Sequence, residues 1–162
     1  MYKKILVPLD GSALAERAIH HATEIAKGTG AEVILLQVVP IPLARVPEAG
    51  QKEEEKSIQE VAAQAKAYLE RIAARVIKEG VKARTVILEG AADGAILGFA
   101  HNEEVDILVM STHGRTGLSK ALMGSVAEKI MLTTKRPVML VKPERIPVAA
   151  HIDEVETFLS AH

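Results

Sequence analysis

The sequence predicts an α/β fold: a doubly wound, five-stranded parallel sheet with helices on both faces. Three observations carry this. Five short runs rich in Val, Ile and Leu punctuate the chain, mostly without polar alternation, as strands buried on both faces require. Segments with apolar residues at steps of three and four separate them. The two kinds alternate, strand then helix four times and then a last strand, the order that right-handed parallel crossovers produce.

The first run is "KILVPL" (4–9). A helix follows in "SALAERAIHHATEIAKGTG", opened by Ser12 as N-cap and closed by Gly28 and Gly30. "EVILLQVV" (32–39) is the second strand. After it, three prolines in "PIPLARVPEAGQ" (40–51) exclude a helix or strand interior. From about Lys52 to Glu79 a long helix places Ile58, Val61, Ala62, Ala65, Leu69, Ile72, Ala73 and Val76 on one face, and Gly80 ends it. "ARTVILE" (83–89) is the third strand. "AADGAILGFAHNE" (91–103) is a weaker helix, diluted by Gly94 and Gly98. "VDILVM" (105–110) is the fourth strand, and a glycine-bearing stretch joins it to the helix "GSVAEKIMLTT". "PVMLVK" (137–142) is the fifth strand. The division expected is one domain over 1–143 and a short extension over 144–162, where Asp153 is a candidate helix cap.

Bulk properties narrow the function. A net charge of -1 supplies no global basic field for nucleic acid. With no cysteine there is no disulfide, thiolate or zinc–cysteine chemistry. No run approaches the length of a membrane span, and the apolar start ends at Asp10, too short for a signal peptide. The expectation is a cytoplasmic protein that binds neither nucleic acid nor membrane. Trp is absent and Phe and Tyr are scarce, so a bound base must lie against aliphatic groups and backbone.

Candidates for chemistry follow the carboxyl ends of strands, where ligands bind such sheets. They are Asp10, the proline-bearing loop after the second strand, and the stretch from Met110 to Ile130. Gly124–Ser125 reads two ways: a loop residue with a serine N-cap, or a helix start whose free N–H groups hold phosphate. Asp10 likewise reads as a ligand acceptor or as turn chemistry in "DGS". His113 reads as a structural loop histidine, and Arg115, Lys120 and Lys129 as solubilising surface cations first, or as groups that neutralise phosphate. Neither the lysine-bearing phosphate loop nor the dinucleotide glycine fingerprint occurs. "PVMLVK", added last, is expected at the sheet edge and poorly protected against pairing with a second copy.

"KKILVPLDGS", "AEVILLQVV", "VDILVMSTHGRTG", "LMGSVAEKI" and "KRPVMLVK", in this order and spacing, resemble the universal stress protein family over residues 2–142. Its nucleotide-binding branch carries Gly, two residues, Gly, nine residues, then Gly-Ser or Gly-Thr. Here Gly114 and Gly124–Ser125 match, while Ser111 replaces the first glycine. The resemblance implies an adenine nucleotide alpha hydrolase-like fold. It also implies an ATP-binding, non-catalytic or very slowly hydrolysing module of stress signalling, a homodimer, and Mg or Mn accompanying ATP. It places Pro8, Asp10 and the backbone of Val38 around adenine, and Met110, Ser111 and Gly114 beside ribose and phosphates. Gly124, Ser125 and Val126 would cradle the phosphate chain. The alternative is a dimeric interaction protein of the same fold with an empty site or another small ligand. Related pyrophosphatases carry a Ser-Gly-Gly-x-Asp-Ser loop where this chain has "PLDGSAL", which argues against that enzyme class.

Overall fold

The computed structural model describes residues 1–40, 51–113 and 123–142, with side chains of the second helix described from residue 59 onward. The elements are β1 (Lys4–Leu9), α1 (Ala13–Thr29), β2 (Glu32–Val39), α2 (Gln51–Lys78), β3 (Ala83–Glu89), α3 (Ala92–Asn102), β4 (Ile107–Ser111), α4 (Ser125–Thr133) and β5 (Val138–Val141). Every strand pair is parallel, and the sheet order is β3-β2-β1-β4-β5. This is the doubly wound arrangement expected. Most of the proline-bearing loop, Gly114 and Gly117 with their neighbours, and the boundary expected at 143 lie outside the described residues.

The strand register explains why the runs lack polar alternation. Leu6 is paired with Ile34 and Leu108, and Ile5 with Val33 and Ile107. The first three face the core beneath α3 and α4, with Ile96, Ala100, Ala127 and Ile130. The second three face the core beneath α1 and α2, with Ala18, Ala22, Leu69 and Ile72. Both faces of the central strands are therefore apolar. Each such Leu or Ile contributes roughly 1.5–3 kcal/mol by leaving water.

α1 shows how local sequence sets an element. Ser12 Oγ accepts from Ala15 N at 3.1 Å, and Gly30 closes the helix in the left-handed region, its N–H donating to Ala26 O at 2.8 Å. Its buried face is mostly alanine: Ala15, Ala18, Ala22 and Ala26 with Ile19 and Thr23. Small side chains let it lie close against β1 and β4.

α2 departs from its expected face. Burial begins at Ala65 and continues through Leu69, Ile72, Ala73 and Val76, but Val61 is 42% exposed. The reason is length. A helix of 28 residues spans about 42 Å, whereas a strand of eight residues such as β2 spans about 26 Å. The first turns of α2 thus overhang the sheet.

Strand ends also shift by one or two residues. β4 starts at Ile107, because Asp106 turns aside to accept Lys3 N and Lys4 N with Oδ2 at 2.7 and 2.8 Å. β4 ends one residue later than expected, with Ser111 registered against Val141. β5 begins after Pro137, whose carbonyl accepts Leu108 N at 3.0 Å.

Those two backbone donors, that of Lys3 first, hold the Asp106 carboxyl below its usual range. A carboxylate depressed in the folded state contributes stability present above its unfolded pKa and lost as pH falls through the folded value. Asp106→Ala is expected to lower stability by about 1–3 kcal/mol at pH 7, a Tm loss of about 2–4 °C per kcal/mol for a chain of this size. The gap between parent and variant should narrow as pH falls through the folded value, which lies below the usual carboxylate range. Thermal melts at pH 7 and pH 3 check this, and an unchanged Tm at pH 7 would show the bonds to be energetically idle.

Candidate functional site: a cleft where two strands part

β1 and β4 are registered at Ile5↔Ile107 and Leu6↔Leu108 and no further. Beyond that level β1 follows β2 as far as Leu9↔Gln37, and β4 follows β5 as far as Ser111↔Val141. Pro8, which has no N–H to give a ladder, lies where the two strands separate. Chain order reverses direction across the sheet here, and such switch points open crevices at the carboxyl edge. The cleft that opens has a volume of about 260 Å³.

Its lining changes character across the sheet. Towards β2 and α3 it is aliphatic: Leu36, Val38, Ala92 and Ile96, with Pro8 and Met110 between the strands. Towards the tip of β4 and the start of α4 it is polar: Ser111, Thr112, His113, Gly124 and Ser125. Asp10 stands at the tip of β1 between the two halves, and Leu9, Ala15, Val126 and Ala127 complete the wall.

The polar half is tightly built. Thr112 is 2% exposed and His113 7%, so both hydrogen-bond inside the protein. Thr112 Oγ1 lies 3.0 Å from His113 Nδ1, and His113 N donates to Ser111 Oγ at 3.4 Å. The Thr112 carbonyl accepts Gly124 N at 2.6 Å, which ties the start of α4 to the end of β4. Gly124, the N-cap of α4, has no side chain to cap it, and no other described side chain does. The N–H groups of its first turn, at Ser125, Val126 and Ala127, are thus offered at the cleft wall with the positive end of the helix dipole. α3, which gives Ala92 to the cleft, likewise starts without a side-chain cap.

Gly124 has φ -72 and ψ 151, a conformation open to any residue. The constraint here is proximity instead: a Cβ would lie 3.2 Å from the Thr112 carbonyl oxygen, a tight contact. A larger residue at 124 therefore presses first on the backbone of the β4 tip. Ser111 stands in ordinary strand conformation, since Glu104 alone among the described non-glycine residues has positive φ. Serine in place of the motif glycine costs no backbone strain.

Asp10 fulfils the turn reading of its sequence. Its Oδ1 accepts Ser12 N at 2.9 Å across Gly11, whose φ is 84. It also lines the cleft, so both readings meet in one side chain. Behind it, burial first, then Glu16 and Asp10, push the Tyr68 hydroxyl well above its usual range. A bridge between α3 and α4 flanks the other side: Lys129 Nζ lies 3.2 Å from Asp93 Oδ2. The bond from Lys129 is the main reason the Asp93 carboxyl is held below its usual range.

Of the residues singled out from sequence, Pro8, Asp10, Val38, Met110, Ser111, Gly124, Ser125 and Val126 all line this one cleft. Gly114 lies outside the described residues. Leu36 escaped sequence reading although it stands two before Val38, on the same side of the strand. Thr112 and His113 extend the β4 tip by two residues; His113, read from sequence as a structural histidine, is buried and hydrogen-bonded, while nothing in the type of Thr112 marked it.

The family model for the universal stress protein family matches residues 1–142. The chain belongs to the universal stress protein family. Universal stress protein MJ0531 of Methanocaldococcus jannaschii is 37% identical over 143 residues, covering 88% of this chain and 83% of that one. MJ0577 of the same organism is 32% identical, covering 88% and 96%. Its solved structure superimposes with a TM-score of 0.79 over 90% of this chain and 99% of that one. A universal stress protein of Archaeoglobus fulgidus solved in complex with dAMP is 25% identical, with a TM-score of 0.62 over 87% and 98%.

Two outcomes are expected for this universal stress protein without ligand. Gly124→Ala gains up to about 1 kcal/mol from a less flexible unfolded chain but crowds the Thr112 carbonyl, at a cost of about 1–3 kcal/mol. The net is a Tm lower by a few degrees, and Gly124→Val should lose more. Asp10→Ala should also lower the Tm slightly, by the loss of about 1 kcal/mol from the Ser12 bond. Differential scanning calorimetry of the ligand-free variants checks both, and a Tm raised in Gly124→Ala would show the β4 tip to be yielding.

Proposed function

We propose that this universal stress protein binds ATP as a non-catalytic, or very slowly hydrolysing, regulatory module of the stress response. The observation that carries the reading is the division of the cleft. Its aliphatic half suits a purine that no aromatic residue stacks on, and its polar half offers the uncapped start of α4 with the Ser125 hydroxyl to phosphate. In this reading Pro8, Asp10 and the Val38 backbone surround adenine. Met110 and Ser111, with Gly114, lie along ribose and phosphates, and Gly124, Ser125 and Val126 hold the phosphate chain. The relative solved with dAMP supports an adenine nucleotide as the ligand class.

Among the described residues no group of three or more His, Cys, Asp or Glu is placed to hold a metal. In this reading Mg or Mn accompanies the phosphate oxygens of ATP. Asp10 is the one carboxylate among the described lining residues, and one of its oxygens is engaged by Ser12 N. A single carboxylate there, at the tip of β1, suits holding a ligand group, in keeping with binding rather than turnover.

The proposed working form is a cytoplasmic homodimer. β5 is the outer strand of the sheet, beside β4. Met139 on it is 38% exposed, and Met131 and Leu132 on α4 are 42% and 73% exposed. An antiparallel β5 from a second copy, across a two-fold axis, would pair the open edge and cover them.

Isothermal calorimetry with Mg-ATP tests the ligand. Ser125→Ala removes one hydroxyl donor to a charged group, so affinity should fall roughly tenfold to hundredfold. Ser111→Gly should bind at least as well as the parent. If the parent shows neither heat nor thermal shift at millimolar Mg-ATP and carries no co-purified nucleotide, the interaction-module reading replaces this one. Sedimentation equilibrium tests the assembly: a dimer at micromolar concentration is expected, weakened by Met139→Lys, and a monomeric parent overturns it.

A further inference from the structure

We propose that Lys129 discriminates nucleotides by phosphate-chain length, leaving Asp93 for a terminal phosphate that reaches the start of α4 and staying paired when the chain is short. The inference rests on the nucleotide reading of the cleft. Lys129 is four residues after Ser125, so both stand on one face of α4, their Cβ atoms about 5–6 Å apart. Helical side chains lean towards the N-terminus, which aims the lysine stem at the cleft end of α4. Its side chain is 66% exposed, and Nζ rests 3.2 Å from Asp93 Oδ2. Asp93 in turn follows Ala92, a wall residue of the same cleft. The ammonium is thus parked at the seam between the two helices whose starts frame the cleft.

The energetics favour exchange. An ion pair this exposed holds its partners weakly, whereas the end of a triphosphate carries more charge than one carboxylate and lies beside the positive end of α4. Among the described residues lining the cleft there is no Lys or Arg; Arg115 and Lys120 lie outside the described residues. Lys129 is therefore the cation that the described part of α4 brings towards a phosphate held at its first turn. A monophosphate, with its single group close to the ribose, does not extend to it, and the Asp93 pairing persists.

The test is calorimetric titration of parent, Lys129→Gln, Asp93→Asn and the double variant with Mg-ATP and with AMP. Lys129→Gln is expected to weaken ATP about tenfold and AMP less than about twofold. Asp93→Asn is expected to tighten ATP severalfold, because it releases the lysine and removes a repelling charge. The double variant separates the two causes: it should bind ATP more weakly than Asp93→Asn. Equal loss for ATP and AMP in Lys129→Gln, or a double variant as tight as Asp93→Asn, overturns the inference. A parent that binds ATP while Lys129→Gln binds it equally well overturns this inference alone. A parent that binds neither nucleotide overturns the nucleotide reading itself and this inference with it.

Discussion

The separation of β1 from β4 after two registered pairs is the constraint on which the rest of the molecule depends. Were those strands to stay paired along their whole length, the carboxyl edge would be closed between them and the tip residues would meet only solvent. Instead β1 leans to β2 and β4 to β5, each keeping its ladder with the neighbour that follows it in sequence. The apolar layers at Ile5, Leu6, Ile107 and Leu108 hold the parted strands together from below. Proline at position 8 suits the place, since it withholds a donor where no strand is adjacent to accept from it.

From that separation follows the asymmetry of the cleft. One wall comes from β2 and α3, elements of the sheet interior, and inherits their aliphatic side chains. The other is made by a strand end and a helix start, where backbone groups outnumber their partners. The chain meets this surplus partly with its own atoms, through Thr112 O and Gly124 N, and among the described residues no side chain caps the first turn of α4. Apolar and polar halves thus arise from topology before any particular side chain is chosen. Ser111, Thr112 and Ser125 then refine the polar half.

Much of this was legible in the sequence, and the reasons are physical. Strands buried on both faces advertise themselves by unbroken runs of Val, Ile and Leu, so the first three were placed with their observed bounds, the last within one residue at either end and the fourth within two. Ser12 and Gly30 marked their helix because capping is a local interaction. The eight described site residues converge because strand tips of a doubly wound sheet must converge. What could not be read depends on distances between elements. The exposure of Val61 follows from α2 outrunning the strands it packs on, which periodicity does not encode. Gly124 looked like a residue chosen for an incoming ligand, yet its nearest constraint is the carbonyl of Thr112, twelve positions earlier. The pairing of Asp93 with Lys129 joins two helices through space, and neither residue carries a local mark of the other.

The central position of β1 has a consequence for the order in which the protein assembles. Its first neighbour, β2, is encoded within the next 30 or so positions, whereas Ile5 must wait for Ile107 before its other edge is covered. During synthesis at about 5–20 residues per second, the half-sheet β1–β2–β3 can form while that edge stays open for several seconds. The nascent chain therefore carries, in its middle strand rather than at its margin, an apolar edge as receptive to foreign strands as any in the finished protein. Arrival of β4 closes that edge over the core and, where the two strands part above it, creates the cleft in the same step.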